Sequence, residues 1–187
     1  MNNFSTKKLL IYIVAIVILF AVPIVIVVVN TDTLKDGNEF LFKVAAFDPY
    51  DMFRGNYLSI NFDEDTAEIK FDLDEEEKYY RREKMYVTVK TNADGFAYFD
   101  KAYLEKPKDT QDYYETEGYY WGDSEQARID TPTRYYMNEN KSLDAEKVYD
   151  ENIDNTYVKV RVKNGKMVIV GVFVDDVLID TIDYVEK

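Results

Sequence analysis

The 187-residue chain contains no cysteine and no histidine. Without cysteine it can form no disulfide framework, no thiolate metal site and no lipid-modified cysteine anchor. Without histidine it lacks the commonest general base and metal ligand, and with them every Ser–His or Cys–His nucleophile pair. Bases are also short relative to acids: 23 Lys and Arg against 36 Asp and Glu, a formal charge of −13. Such a surface is repelled by phosphate backbones, so nucleic acid is not expected as a partner. No internal repeat is visible. What remains is ample for folding. Hydrophobic residues make up 47% of the chain, enough for a core despite 32% charged residues. A mass of 22.0 kDa leaves room for one domain plus an appendage.

The appendage is N-terminal. Leu9 to Val29 runs apolar without a charge, long enough for a hydrocarbon core of roughly 30 Å. Lys7 and Lys8 precede it and every acid follows it, so the positive-inside bias places the N-terminus in the cytoplasm. A cleaved signal peptide is the competing reading, but its apolar core is shorter and ends in small residues, whereas Val27-Val28-Val29 leads straight into Asn30. An uncleaved anchor with a tolerated Pro23 is the expectation. The divisions are residues 1–8 cytoplasmic, 9–29 anchor, 30–38 polar linker and 39–187 an extracytoplasmic domain at a bacterial cell membrane.

Phe47 to Phe62 packs a turn and a strand into one stretch. Pro49 pushes Asp48 toward extended geometry, and Gly55-Asn56 tolerates a positive φ. Leu58, Ile60 and Phe62 then alternate with Tyr57, Ser59 and Asn61, the pattern of a half-buried strand. Arg54, flanked by Asp48 and Asp51, can close the corner by a forked carboxylate pairing. Two readings of it stand: a brace for the turn, or part of a docking or ligand site.

The run Gly55-Asn56-Tyr57-Leu58-Ser59-Ile60-Asn61-Phe62 resembles the signature of the bacterial GDYXXLXY family, with Asn56 for Asp, Ile60 for Leu and Phe62 for Tyr. Asp48-Pro49-Tyr50-Asp51-Met52-Phe53-Arg54 is similar to the family's Asp-Pro-x-Asp-x-x-Arg lead-in. Arg134-Tyr135-Tyr136-Met137-Asn138-Glu139, with Leu143 and Glu146 beyond, is similar to its Arg-Tyr-(Tyr/Phe)-x-x-Glu block, and Gly165 to Ile179 to its closing hairpin. The resemblance implies a membrane-anchored domain whose gene tends to lie beside those of multi-spanning membrane proteins. The binding candidates are Asp48, Asp51, Arg54, Gly55, Asn56, Tyr57, Arg134, Tyr135 and Glu139.

The expected fold is a single transmembrane helix followed by a β-rich, mainly antiparallel α+β domain with one or two short helices. Glu39 to Phe47 reads as the first strand. Asp74 to Glu83, acids first and bases Arg81, Arg82 and Lys84 last, has helical potential. Met85 to Lys90 and Phe96 to Tyr103 read as a hairpin through Asn92-Ala93-Asp94-Gly95. Lys106 to Trp121 reads as a loop, crowded with Tyr113, Tyr114, Tyr119, Tyr120 and Trp121. Those rings either stack sugars or protein partners or cover a small core. Ser142 to Tyr149 is a short helix capped by Ser142. Val158, Val160 and Val162 alternate into the turn Asn164-Gly165; Met167 to Val174 returns as a central strand, and Val177 to Tyr184 follows after Asp175-Asp176.

The acids at 63–65, 72 and 74–77 lack the spacing of a calcium loop, so no metal or cofactor is expected. Signal-peptidase-like enzymes place a serine shortly upstream of a comparable glycine, and no serine lies between Asn30 and Gly55. A two-carboxylate hydrolase built from Asp48, Asp51 and Glu139 is conceivable, but with 36 acids such a pair says little. The reading is therefore a non-catalytic interaction module working with an integral membrane protein. The alternative is a domain that binds a neutral or amino-bearing envelope glycan through its Tyr/Trp-rich segment.

Overall fold

A computed structural model describes residues 6–45, 57–71, 80–121 and 124–182. Asp48, Asp51, Arg54, Gly55 and Asn56 therefore lie outside the described residues, as do residues 72–79, and the Glu139 side chain is not described.

The first element, α1 (Thr6–Asp36), is a 31-residue helix that continues on both sides of Pro23. Every residue from Lys8 to Val28 is exposed. A helix apolar on all sides, of this length and with none of its most apolar window buried, can cross a bilayer. The polar segment expected as a linker instead continues the helix to Asp36. Its geometry is set by tertiary contacts. Thr33 is buried and its hydroxyl donates to Val29 O at 3.0 Å. Gly37 N–H donates to Thr33 O at 2.9 Å, and a Cβ on Gly37 would sit 2.4 Å from that oxygen. Arg161 Nη1 donates to the terminal helix carbonyls of Leu34 and Lys35 at 2.7 and 2.9 Å, a side-chain cap.

One sheet carries this helix end. Strand β1 (Asn38–Ala45) pairs antiparallel with β10 (Thr156–Lys163), from Asn38↔Val162 to Lys43↔Tyr157. Strand β11 (Lys166–Val174) follows through Asn164 and Gly165, at φ 49° and 90°, the type I′ turn that Asn-Gly favours. The Val158, Val160 and Val162 alternation is borne out: all three are buried. Strand β12 (Val177–Leu178) turns back through Asp175-Asp176, also at positive φ. The expected long third strand stops there. Ile179–Thr181 forms a 3-10 turn in which Thr181 Oγ1 donates to Leu178 O at 2.7 Å and Ile179 is buried. β11 does lie between β10 and β12, yet Val170 is exposed, so the strand is not covered along both faces.

The expected strand from Tyr57 to Phe62 becomes two, β2 (Tyr57–Ser59) and β3 (Asn61–Phe62). β3 pairs with the end of β1, Val44↔Phe62, completing the sheet order β12-β11-β10-β1-β3. β2 pairs with β9 (Arg134–Tyr136). Between them Ile60 N–H donates to Thr133 O at 3.0 Å. The inward row survives this change of partner: Leu58, Ile60 and Phe62 are 3%, 0% and 4% exposed.

The remaining strands close a barrel. They are β4 (Thr66–Ile69), β5 (Tyr80–Thr91), β6 (Ala97–Tyr103), β7 (Tyr113–Trp121) and β8 (Gln126–Ile129), in the order β4-β6-β5-β7-β8 with β8 returning to β4. Small residues make the closure possible. Ala67, Ala102 and Ala127 are buried, and Gly118 lets Met85 approach: a Cβ there would lie 2.7 Å from Met85 Sδ. The expected hairpin across Asn92–Gly95 is present, with Gly95 at φ 88°.

Tyr80 to Glu83, expected to end a helix, begins β5 and pairs residue by residue with β7 from Tyr80↔Trp121. Its charges meet partners across the sheet, Arg82 with Glu117 and Lys84 with Glu115, rather than a helix dipole. The expected loop from Lys106 to Trp121 is irregular only before Tyr113; its β-favouring tyrosines then form β7. Helix α2 (Glu139–Glu151) begins three residues before the expected cap Ser142, which lies inside it. It buries Ala145, Val148 and Tyr149, one helical face.

Candidate interaction corner and aromatic groove

The β2–β9 pairing brings together two segments that are far apart in the chain. Tyr57 faces Tyr136, Leu58 faces Tyr135 and Ser59 faces Arg134. Alternation divides the pair into two faces. Leu58 is buried and Tyr135 half-buried on the inner face. On the outer face the Arg134 guanidinium lies 5.1 Å from the Tyr57 ring centre, and the Tyr57 and Tyr136 rings meet edge-on at 5.7 Å. Tyr136 is 68% exposed.

The inner face is tied down by tyrosine hydroxyls. Tyr135 donates to Asp180 Oδ2 at 3.1 Å, while the other carboxylate oxygen is buried and has no hydrogen-bond partner among the described residues. Burial, then the adjacent Asp180 charge, push the Tyr135 hydroxyl up to about 12. Tyr149 on α2 donates to Ala45 O at the end of β1, 3.0 Å away, and burial pushes it up as well. Of the candidate residues, the structure thus unites Tyr57, Arg134 and Tyr135. It adds Tyr136 and Asp180, which sequence reading missed as site residues. Tyr136 was visible in the Arg-Tyr-Tyr run; Asp180 had no local signal.

A second feature is a groove of about 950 Å³ between the barrel mouth and the β1–β3 edge. Tyr80 and Trp121 line it, 56% and 57% exposed. Tyr80 stacks on Tyr119 at 5.5 Å and meets Trp121 edge-on at 5.8 Å. Two of the acids at its wall each accept from an arginine through one oxygen. Arg128 Nε donates to Asp65 Oδ2 at 2.7 Å, and Arg82 Nη2 to Asp130 Oδ2 at 2.9 Å. A hydrogen bond to Asp130 raises the Tyr119 hydroxyl. The crowd of Tyr and Trp signalled part of this groove in the sequence, but Asp65 and Arg128 are 63 positions apart and signalled nothing.

The chemistry available is limited. Among the described residues no three carboxylates gather as a metal site. Two carboxyls among them, Glu146 and Asp150, are raised by burial; they lie on α2 and do not line the groove. Stacking surfaces, a guanidinium and fixed hydrogen-bonding groups are what both features offer.

The structure is therefore a β-rich body carried on one N-terminal apolar helix of membrane-spanning length, with an exposed tyrosine–arginine corner. The chain belongs to the GDYXXLXY family, whose profile, described as GDYXXLXY protein, matches residues 19–172. No curated protein and no solved structure matches it.

Proposed function

We propose that this chain is a membrane-anchored, non-catalytic interaction module, with α1 in the bilayer and the body outside the cytoplasm. Its outer corner face docks on a multi-spanning membrane protein. The observation that supports this is the β2–β9 pairing, which collects Tyr57, Arg134 and Tyr136 on one exposed face backed by the core. Tyr and Arg are the residues that interfaces favour and whose truncation costs binding most. Being half a strand pair rather than a loop, the face is also pre-organised, which lowers the entropy cost of docking. The test is affinity purification of the detergent-solubilised full chain. A stoichiometric integral membrane protein should co-purify with the wild type and be lost with Arg134→Ala. The variant's denaturation midpoint should barely move, because one exposed cation–ring contact is worth only about 0.5–1 kcal/mol. Equal capture by variant and wild type would sink the corner as the docking face.

The groove supports a second reading, an envelope glycan site. Exposed Tyr80 and Trp121 offer rings for sugar faces, and Asp63, Asp65 and Asp130 offer acceptors for hydroxyls or an amino group. A soluble neutral or amino-bearing oligosaccharide should change Trp121 fluorescence saturably in the full chain in detergent. Tyr80→Ala should abolish the change. No saturable response to either class of sugar would remove this reading.

A further inference from the structure

We propose that the end of the body nearest α1 is a lysine rim that seats on the phosphates of anionic lipid headgroups. This inference rests on the reading that α1 spans a bilayer, and goes beyond it by naming a second membrane contact. The apolar run ends at Val29, and Asp32 lies three residues on, about 4–5 Å higher along the helix axis. Lys163 Nζ is held at that level, 2.9 Å from Asp32 Oδ2 and 3.6 Å from Asp36 Oδ2. The β10–β11 turn follows Lys163 directly, so its tip stands at the height of the headgroup layer, the zone between the roughly 30 Å hydrocarbon core and bulk water.

A second segment is fastened to the same tip. Asn164 N–H donates to Gln111 O and Gly165 N–H to Tyr113 O, each at 2.9 Å, and Asn38 Nδ2 donates to Asp112 Oδ1 at 2.7 Å. Lys106 and Lys108 lie just ahead in that segment. Together with Lys35 and Lys166 they are exposed and have no ion pair among the described residues; Lys106 rests on the Tyr113 ring at 5.6 Å. The neighbouring acids are engaged in part: Asp32 and Asp36 by Lys163, Asp112 by Asn38 and Glu115 by Lys84, while Glu105 and Asp109 have no ion pair among the described residues. At its opposite end β11 turns through Asp175-Asp176. A chain with net charge −13 thus presents Lys35, Lys106, Lys108 and Lys166 toward the bilayer and the Asp175-Asp176 turn away from it. Basic residues beside a helix exit are attracted to anionic leaflets, and long lysine stems reach their phosphates. Seated in this way, the body is held at a fixed height and tilt above the membrane.

The absence of cysteine makes the test direct. Single Thr110→Cys and Asp94→Cys variants of the full chain would carry an environment-sensitive probe, in vesicles of phosphatidylcholine alone or mixed with phosphatidylglycerol. Quenching by headgroup spin-labelled lipid at position 110 should rise roughly twofold or more in the anionic vesicles and fall back at high salt. Position 94, at the turn between β5 and β6, should show no such rise. Combining Lys106→Gln, Lys108→Gln and Lys166→Gln should abolish the gain while Trp121 fluorescence stays native. Equal quenching at position 110 in both vesicle types would overturn the rim as a lipid site. So would a triple variant that keeps the gain. Extraction of the chain by alkaline carbonate would instead overturn the anchor itself, and the rim with it.

Discussion

Removing one oxygen, by Tyr135→Phe, tests the corner most sharply. The Tyr135 hydroxyl donates to one Asp180 carboxylate oxygen at 3.1 Å, while the other oxygen has no hydrogen-bond partner among the described residues. Phenylalanine keeps the ring packing and strips the carboxylate of its donor. A hydrogen bond to a charged group is worth about 1.5–3 kcal/mol; Tyr135 is only half-buried, so about 1–2 kcal/mol is expected at neutral pH after allowance for solvent screening. A pH signature accompanies the loss. The hydroxyl is raised from its ordinary value near 10 to about 12 in the folded chain. The folded state therefore holds its proton where the unfolded state releases it. That contribution is whole below pH 10 and is lost progressively as pH rises from about 10 to about 12. Two pH units correspond to at most about 2.7 kcal/mol, and partial exposure brings this to about 1–2 kcal/mol. Urea unfolding of the full chain in detergent, followed through the single Trp121, reads both effects. Tyr149 is raised too and supplies the same alkaline trend in both proteins, so the difference between them is the measurement. Parallel wild-type and Tyr135→Phe curves across the alkaline range, with equal midpoints at neutral pH, would refute the pairing with Asp180.

Gly118→Ala should destabilise the barrel by about 1–3 kcal/mol in the same assay, because the added Cβ would meet the fully buried Met85 and overpacking is not relieved by solvent. An unchanged midpoint would mean the barrel wall is looser there than the geometry states. Arg161→Ala removes both hydrogen bonds to the last turn of α1, at a cost of about 1–2 kcal/mol. A spin label on Asn38→Cys should then report faster motion of the body relative to the helix. No change in mobility would show that Thr33 and Lys163 suffice for the joint.

The local chemistry of the chain made several elements legible. An uninterrupted apolar run needs no partner to be a helix of membrane-spanning length. The valines at 158, 160 and 162 and the Asn164-Gly165 turn state a strand and its reversal within ten residues, and Asn92 to Gly95 does the same. Each of these signals is a period or a turn angle, and each is written in neighbours along the chain. Tyr57, Arg134 and Tyr135, candidates on sequence, fall on one strand pair, with Tyr135 on the face opposite the other two.

What the sequence by itself determined is therefore where the chain must turn, which residues face inward and which chemistries it lacks the side chains to perform. Tertiary structure decided the rest. The charges from Arg81 to Lys84 suit a helix end or a sheet equally well, and only pairing with β7 chooses the sheet. Residues 31–36 look like a linker until Arg161 and Lys163 hold them in helix. The groove joins residues from both sides of the barrel mouth, and Asp180 meets Tyr135 across 45 positions. Contacts between distant segments are chosen by which pairing buries the most apolar surface and satisfies the most backbone groups, a property of the whole chain that no short window contains.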